Sequence, residues 1–221
     1  MADDPAADVA PETDEPENVT RIIAATIDAI ADEGIHKVRL QDISAVAGVS
    51  VGRIQYYFKT RDNLIDQALY KYMTDSIAYL RSAASDVPDA WDALVEMVQT
   101  HRRRHDNERK ARIWISLVHA GMLNARHLRM LNTISAEWHK LYRDLLLRGV
   151  YSGRFTPTAD VDEIVDIMVG LTDAFAVGHA SVALDHNDKL DRVTALFLAM
   201  LRQTLNVVDD ASRLGQRPTE S

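Results

Sequence analysis

Residues 38–64, VRLQDISAVAGVSVGRIQYYFKTRDNL, constrain the chain most, because nearly every position there has a steric part to play. Two short helices, about 40–47 and 51–57, are separated by Gly48-Val49-Ser50. Gly48 takes a tight left-handed turn that is cheap only for glycine, and Ser50 is placed to cap the second helix. From the first helix Ile43 and Ala47 point inward, while Ser44 is small enough to let the second helix cross closely; Val49, Ile54 and Phe58 anchor that second helix and its exit. The second helix then presents Val51, Gly52, Arg53, Gln55, Tyr56 and Tyr57 to solvent with its N-terminus leading, as a helix does when it enters the major groove of DNA.

The chemistry of those outward residues suits that groove. Gly52 removes bulk where backbone must come close, Arg53 can give two hydrogen bonds to a guanine edge, and Gln55 can bond a base or a phosphate. Tyr56, Tyr57, Lys59 and Arg61 suit phosphates, which position more than they specify. The competing reading is three helices that merely pack, with a solvated basic edge.

Charge favours the first reading once it is located. The net charge of −8 is concentrated in residues 1–17, where Asp3, Asp4, Asp8, Glu12, Asp14, Glu15 and Glu17 meet no Lys or Arg, so the rest of the chain carries only −1. Between His36 and Arg61 the balance reverses, with Lys37, Arg39, Arg53, Lys59 and Arg61 against Asp42 alone, a local basic patch of the kind a DNA contact needs.

The remainder reads as helix throughout, with no strand-like alternation and no internal repeat. Residues 1–17, rich in Ala, Pro, Asp and Glu, cannot bury enough apolar surface to offset their ordering entropy and are expected to be a disordered acidic tail. A first helix over about 18–33 stops at Gly34, and later helices run from Thr60 towards Ser85 and over about 88–105, 108–123, 125–150, 158–184 and on to 207, with 208–221 a flexible tail. Pro88 and Pro157 mark two starts, Gly149 and Gly153 an end. The fold class is all-α with about nine helices.

Absent chemistry closes several alternatives. With no cysteine there is no disulfide framework, thiolate zinc site or cysteine nucleophile, and no apolar run reaches the roughly 20 residues of a membrane helix, so a cytoplasmic chain without a membrane partner is expected. No glycine-rich phosphate loop or H-E-x-x-H stands in the sequence, so neither catalysis nor a cofactor is expected. His101 and His105 have a zinc-compatible spacing, but Arg102, Arg103 and Arg104 lie between and no third ligand is evident, so a solvated basic face is the better reading and no metal is expected.

Ala47-Gly48-Val49-Ser50, Gly52, the Tyr-Tyr-Phe ending at Phe58, and Leu64 together resemble the signature of the tetracycline-repressor (TetR) family, and helix one with Gly34 extends the match to about residues 18–69. Departures are Arg39 and Leu40 where the family often has a Ser or Thr cap, Ser44 for Ala, Gln55 for Tyr and Arg61 for Lys. Gln41 matches a position that in the family can reach DNA. The resemblance implies a three-helix DNA-binding domain with helix-turn-helix over 18–64 and a helical ligand-binding and dimerisation domain over 65–207. Its partners are then double-stranded operator DNA, a second copy of itself and a small-molecule effector. A repressor released by that effector is the leading expectation, an activator or ligand-independent regulator its near alternative. The other class is a helical small-molecule carrier or enzyme with a vestigial helix-turn-helix.

Within the second domain, Tyr79, Trp91, Trp114, Met122, Trp138, Tyr142 and Phe175 are candidates to line an apolar effector pocket, with His119, Asn124, Thr172 or Asp173 as polar handles, although such residues are more often simply core. Gly170, Ala174 and Gly178 step along one helix beside Ile167 and Leu171. With Leu196 and Met200 of the last helix they are candidates for a four-helix dimer interface, the alternative being close packing within one subunit.

Overall fold

The computed structural model describes residues 15–103, 107–180 and 187–208. Among them are nine α-helices and no strand: α1 (Glu15–Glu33), α2 (Leu40–Ala47), α3 (Val51–Phe58), α4 (Arg61–Ser85), α5 (Ala90–Arg103), α6 (Asn107–Leu123), α7 (Ala125–Tyr151), α8 (Val161–Ala180) and α9 (Asn187–Thr204), with a 3-10 turn at Ile35–Lys37. No helix among the described residues is long and apolar enough to cross a membrane. The tails expected over 1–17 and 208–221 lie outside the described residues except at their inner ends. There Glu15–Glu17 belong to the first turn of α1, where carboxylates suit the helix dipole, and Val208 is held by backbone bonds.

Two compact units divide the chain between Tyr70 and Lys71. In the first, α1 packs on α2 and on the 3-10 turn, and α2 on α3. Its core is Ile22, Ile30, Ile35, Ile43, Ile54, Phe58 and Leu64, each at most 2% exposed. Burial of each such side chain contributes about 1.5–3 kcal/mol, which two eight-residue helices need because they are marginal alone.

The second unit is built from α6, α7 and α8 packed pairwise, with α5 against α7. Two helix starts differ from the proline-based expectation. Asp89, not Pro88, caps α5 by accepting from the Trp91 and Asp92 backbone N–H groups at 2.9 and 3.0 Å, and Asp160 caps α8 by accepting from Asp162 at 2.8 Å. Gly149 does not end α7, which continues to Tyr151. A Cβ there would lie 2.0 Å from the Phe155 ring, so the glycine is required by close approach. Phe155, 1% exposed, and its neighbours close the α7–α8 connection onto the end of α9 through an antiparallel bridge to Val207 and bonds from Thr156 and Thr158 N–H to the Leu205 and Thr204 carbonyls. Arg154, 7% exposed, fastens this corner: its Nε donates to Asp89 at 2.7 Å and its Nη1 to the Val208 carbonyl.

Candidate nucleic-acid interface and effector cavity

The helix-turn-helix is set by hydrogen bonds as well as by apolar contacts. Gly48 lies at φ 67°, ψ 32°, and its N–H donates to the Ser44 carbonyl. The Ser44 hydroxyl donates to the Val49 carbonyl at 2.6 Å, so this serine braces the turn as well as being small. Ser50 Oγ caps α3, accepting from Arg53 N–H at 3.2 Å, and Thr60 Oγ1 caps α4, accepting from Asn63 N–H at 3.1 Å. These caps satisfy donors that a helix start leaves open.

With Ile54 and Phe58 buried, α3 leaves Gly52, Gln55 and Tyr56 exposed, Val51, Arg53 and Tyr57 half-buried, and Gln41 exposed on α2. A Cβ at Gly52 would meet nothing nearer than Ser50 Oγ at 3.9 Å, so nothing inside this unit requires a glycine there. Arg53 Nε donates to Tyr57 Oη at 3.2 Å, which orients the guanidinium along the helix face. Lys59 folds back, its Nζ donating to the Tyr56 carbonyl at 2.7 Å and lying 5.2 Å from the Tyr56 ring centre. Its own backbone, at φ 64° and ψ −53° with Thr60 N–H on the Phe58 carbonyl at 2.7 Å, is a γ-turn of the rare strained form. Strain of this kind, on the order of 1–3 kcal/mol for a residue with a side chain, sits at the exit of the outward helix.

Two expected phosphate ligands stand differently from the rest. Arg61 Nε donates to the Val38 carbonyl at 2.7 Å, its Nη2 to the Ile35 carbonyl, and its Nη1 to Asp62, so the guanidinium ties the start of α4 to the segment before α2. It is a positioning residue for the motif, because its guanidinium is engaged by groups inside its own unit. Arg39 is the N-cap position of α2 and makes no capping bond with its side chain, which is exposed.

In the second unit the candidate pocket residues divide. Trp114, Trp138, Thr172 and Asp173 line one cavity of about 50 Å³, together with His101, Asn107 and Lys110. Tyr142 and Phe175 line another of about 30 Å³ that shares His101 and Thr172 with the first. An aromatic row runs through both, with ring centres 5.3 Å apart for His101 and Trp138 and 6.0 Å for Trp138 and Tyr142. The Tyr142 hydroxyl lies 2.8 Å from Thr172 Oγ1; Thr172 gives its own proton to the Met168 carbonyl, so the phenol is the donor. Burial pushes the Tyr142 phenol up to about 12, and it stays neutral. Burial also pushes the Asp173 carboxyl up, against the pull of the Trp114 indole N–H and of His139.

Tyr79, Trp91, His119, Met122 and Asn124 do not line these cavities. Tyr79 and Met122 are 54% and 80% exposed, and His119 is exposed, because each lies on the outward side of its helix. Trp91 is core beneath the Arg202 guanidinium, and Asn124 caps α7. The solvated basic face expected over 101–105 is corrected where it is described: His101 lines both cavities, and Arg102 lines the second while pairing with Asp191 at 2.5 Å. Arg104 and His105 lie outside the described residues. No group of three or more metal-ligating His, Cys, Asp or Glu occurs among the described residues.

Residues 22–68, which span α1 to the first turns of α4, match the family model for bacterial regulatory proteins of the tetR family. Over 141 residues this chain is 26% identical to the HTH-type transcriptional repressor KstR2 of Rhodococcus jostii (strain RHA1), covering 63% of this chain and 68% of that one. A putative TetR-family regulator from Rhodococcus sp. superposes with a TM-score of 0.73 at 23% identity, over 86% of this chain and 99% of the other. The regulator FadR of Bacillus subtilis, solved with stearoyl-CoA, gives a TM-score of 0.64 at 20% identity over 86% of this chain and 99% of its own.

On the second unit, most of the expected interface residues are in the open. Ile167, Leu196 and Met200 are 61%, 62% and 57% exposed, Gly170 and Ala174 are exposed, and Leu171 and Gly178 are half-buried. Cβ atoms at Gly170 and Gly178 would meet nothing within 4 Å among the described residues. Sequence reasoning missed Asn107 and Lys110 as cavity residues. Their only signal is phase: they lie two turns and one turn before Trp114 on α6, in a run of charges that reads as solvent-facing.

Proposed function

We propose that this chain is a homodimeric transcriptional repressor rather than an enzyme. It holds a near-palindromic operator with two copies of α3 and releases it when a small molecule fills the cavity of the second unit. The observation that carries the DNA-binding reading is the outward face of α3, which has a glycine its own fold does not need, beside Arg53, Gln55, Tyr56 and Tyr57. Val51 and Gly52 bring the backbone close, Arg53 and Gln55 read base edges, and Gln41, Arg39, Tyr56, Tyr57 and Lys59 hold phosphates, while Arg61 fixes the motif that presents them. Two such helices about one helical turn apart, roughly 34–36 Å, fit two half-sites.

The exposed apolar residues Ile167, Leu196 and Met200, with the open glycines 170 and 178, support pairing with a second copy through α8 and α9. The aromatic-lined cavities support an effector whose binding is linked to DNA release, since a ligand that prefers the form with misfitting half-sites lowers operator affinity by its preference for that form.

A mobility-shift assay with the DNA upstream of the chain's own gene tests the reading. Wild type binds it far more tightly than scrambled sequence, and Arg53→Ala loses most of that preference. Equal affinity of the wild type for the two DNAs sinks specific recognition.

A further inference from the structure

The start of α1 and the start of α3 are neighbours. Asn18, 4% exposed, accepts from the Arg21 guanidinium, whose Nη1 lies 4.0 Å from where a Cβ on Gly48 would stand. Gly48 ends α2 in the turn that leads through Ser50 into α3. Glu15, where α1 begins, is six residues before Arg21, about 9 Å along the helix axis, and α3 is itself about 12 Å long. The chain therefore enters α1 beside the helix-turn-helix, within the same compact unit.

Charge makes what precedes α1 complementary to that motif. Residues 1–14 carry five carboxylates, Asp3, Asp4, Asp8, Glu12 and Asp14, and no Lys or Arg with which to pair them. On the motif's side Arg21, Arg39 and Lys59 are exposed and Arg53 is half-buried. At roughly 3.3 Å per residue, fourteen residues reach up to about 46 Å, ample to pass from the start of α1 along the whole of α3. One exposed ion pair contributes little, but several in a tethered segment act together, and the tether holds the segment at an effective concentration in the millimolar range.

We infer that residues 1–14 dock on the exposed basic face of α2 and α3 and compete there with DNA phosphates. The inference rests on the DNA-binding reading above and adds a regulation of that same surface. Every duplex must displace the same segment, so operator and unrelated DNA are weakened by one factor. The ratio between them is unchanged, while weakly held sites fall empty. Docking strengthens as salt falls, so it opposes DNA most where phosphate contacts are strongest.

Anisotropy titrations of labelled duplexes compare wild type with a neutralised full chain carrying Asp3→Asn, Asp4→Asn, Asp8→Asn, Glu12→Gln and Asp14→Asn. At ~50 mM salt the neutralised chain is expected to bind operator and scrambled duplex about fivefold or more tightly, by the same factor for each. At ~400 mM the gap closes to within about twofold, which gives the wild type the shallower salt slope. Equal affinities of the two chains at low salt overturn the inference. Because the chain has no cysteine, a spin label on Ala7→Cys reports the segment alone. It is expected to broaden amide signals of α2 and α3 more than those of the second unit, until operator, high salt or the neutralised background removes the difference. Tighter DNA binding by the neutralised chain without that localised broadening also overturns docking and leaves simple repulsion between the segment and DNA. Localised broadening in a wild type that binds operator and scrambled duplex equally keeps the docking and ends specific recognition. Operator preference without the broadening keeps recognition and ends the docking.

Discussion

At Gly48 the backbone angles of 67° and 32° are left-handed, and a methyl group there costs about 1–2 kcal/mol whatever the space around it. Gly52, four residues on, is helical with open space at its Cβ position, so the same substitution has the opposite sign. Gly52→Ala is expected to stabilise the chain by about 0.5–1 kcal/mol, because alanine loses less backbone entropy in a helix. On the proposed function operator affinity should fall at least tenfold in the same protein, because the added methyl would stand where backbone approaches DNA. Thermal unfolding and a DNA titration on one preparation check both; a destabilised variant, or one with undiminished affinity, refutes the assignment of Gly52 to the interface. Arg61 shows the reverse case, a residue whose charge suggests DNA but whose guanidinium is engaged by the Val38 and Ile35 carbonyls. From the sequence its charge was legible and its partners were not, since they lie 23 and 26 positions away.

Among the elements, those fixed by neighbouring side chains were legible and those fixed by distant ones were not. Ser50 and Thr60 cap the helices they precede, and α2 and α3 fall where apolar spacing and Gly48 put them. Pro88 and Pro157 drew two starts too early because the carboxylates of Asp89 and Asp160 are the stronger local signal. Gly149 resembled a helix stop, yet its reason is the Phe155 ring, which only the folded α7–α8 corner brings near. Gly149→Ala is therefore expected to cost about 2–4 kcal/mol, as overpacking plus displacement of a fully buried aromatic, and a denaturant midpoint equal to wild type would remove Phe155 as the cause.

The same corner carries a pH dependence. Burial pushes the Asp89 carboxyl up, but the Asp92 backbone N–H, the Arg154 guanidinium and the Trp91 N–H outweigh it and hold it below its ordinary value of 3.8. The unfolded chain therefore takes up a proton before the folded one as pH falls. The stabilisation is complete above the ordinary carboxylate range and is lost as pH drops through the lower folded value. Asp89→Asn keeps the cap and removes the charge. It should cost about 1.5–3 kcal/mol at pH 7, a difference that shrinks as pH falls through the lower folded value of the carboxyl. A deficit independent of pH would mean that packing, not the ion pair with Arg154, is what the substitution breaks.

On the scale of the whole molecule, the basic α2–α3 face and the apolar surface of α8 and α9 belong to different units of the chain. DNA affinity tests whether they work together. A single α3 contacts one half-site, and joining two copies makes the second contact intramolecular, at an effective concentration in the millimolar range. Leu196, 62% exposed on α9, touches neither the helix-turn-helix nor the cavities, so a change there bears on pairing alone. Burying two leucines, one from each copy, contributes about 1.5–3 kcal/mol apiece, and replacing each by a carboxylate also places two like charges in the interface. Leu196→Glu should thus sediment as a monomer at micromolar concentration where wild type is a dimer, with unchanged helical content. Its affinity for a two-half-site operator should fall at least tenfold while affinity for an isolated half-site stays the same. A variant that remains dimeric and binds the full operator as wild type does would place the partner surface elsewhere than on α9. A monomer with full operator affinity would show that pairing contributes nothing to DNA binding.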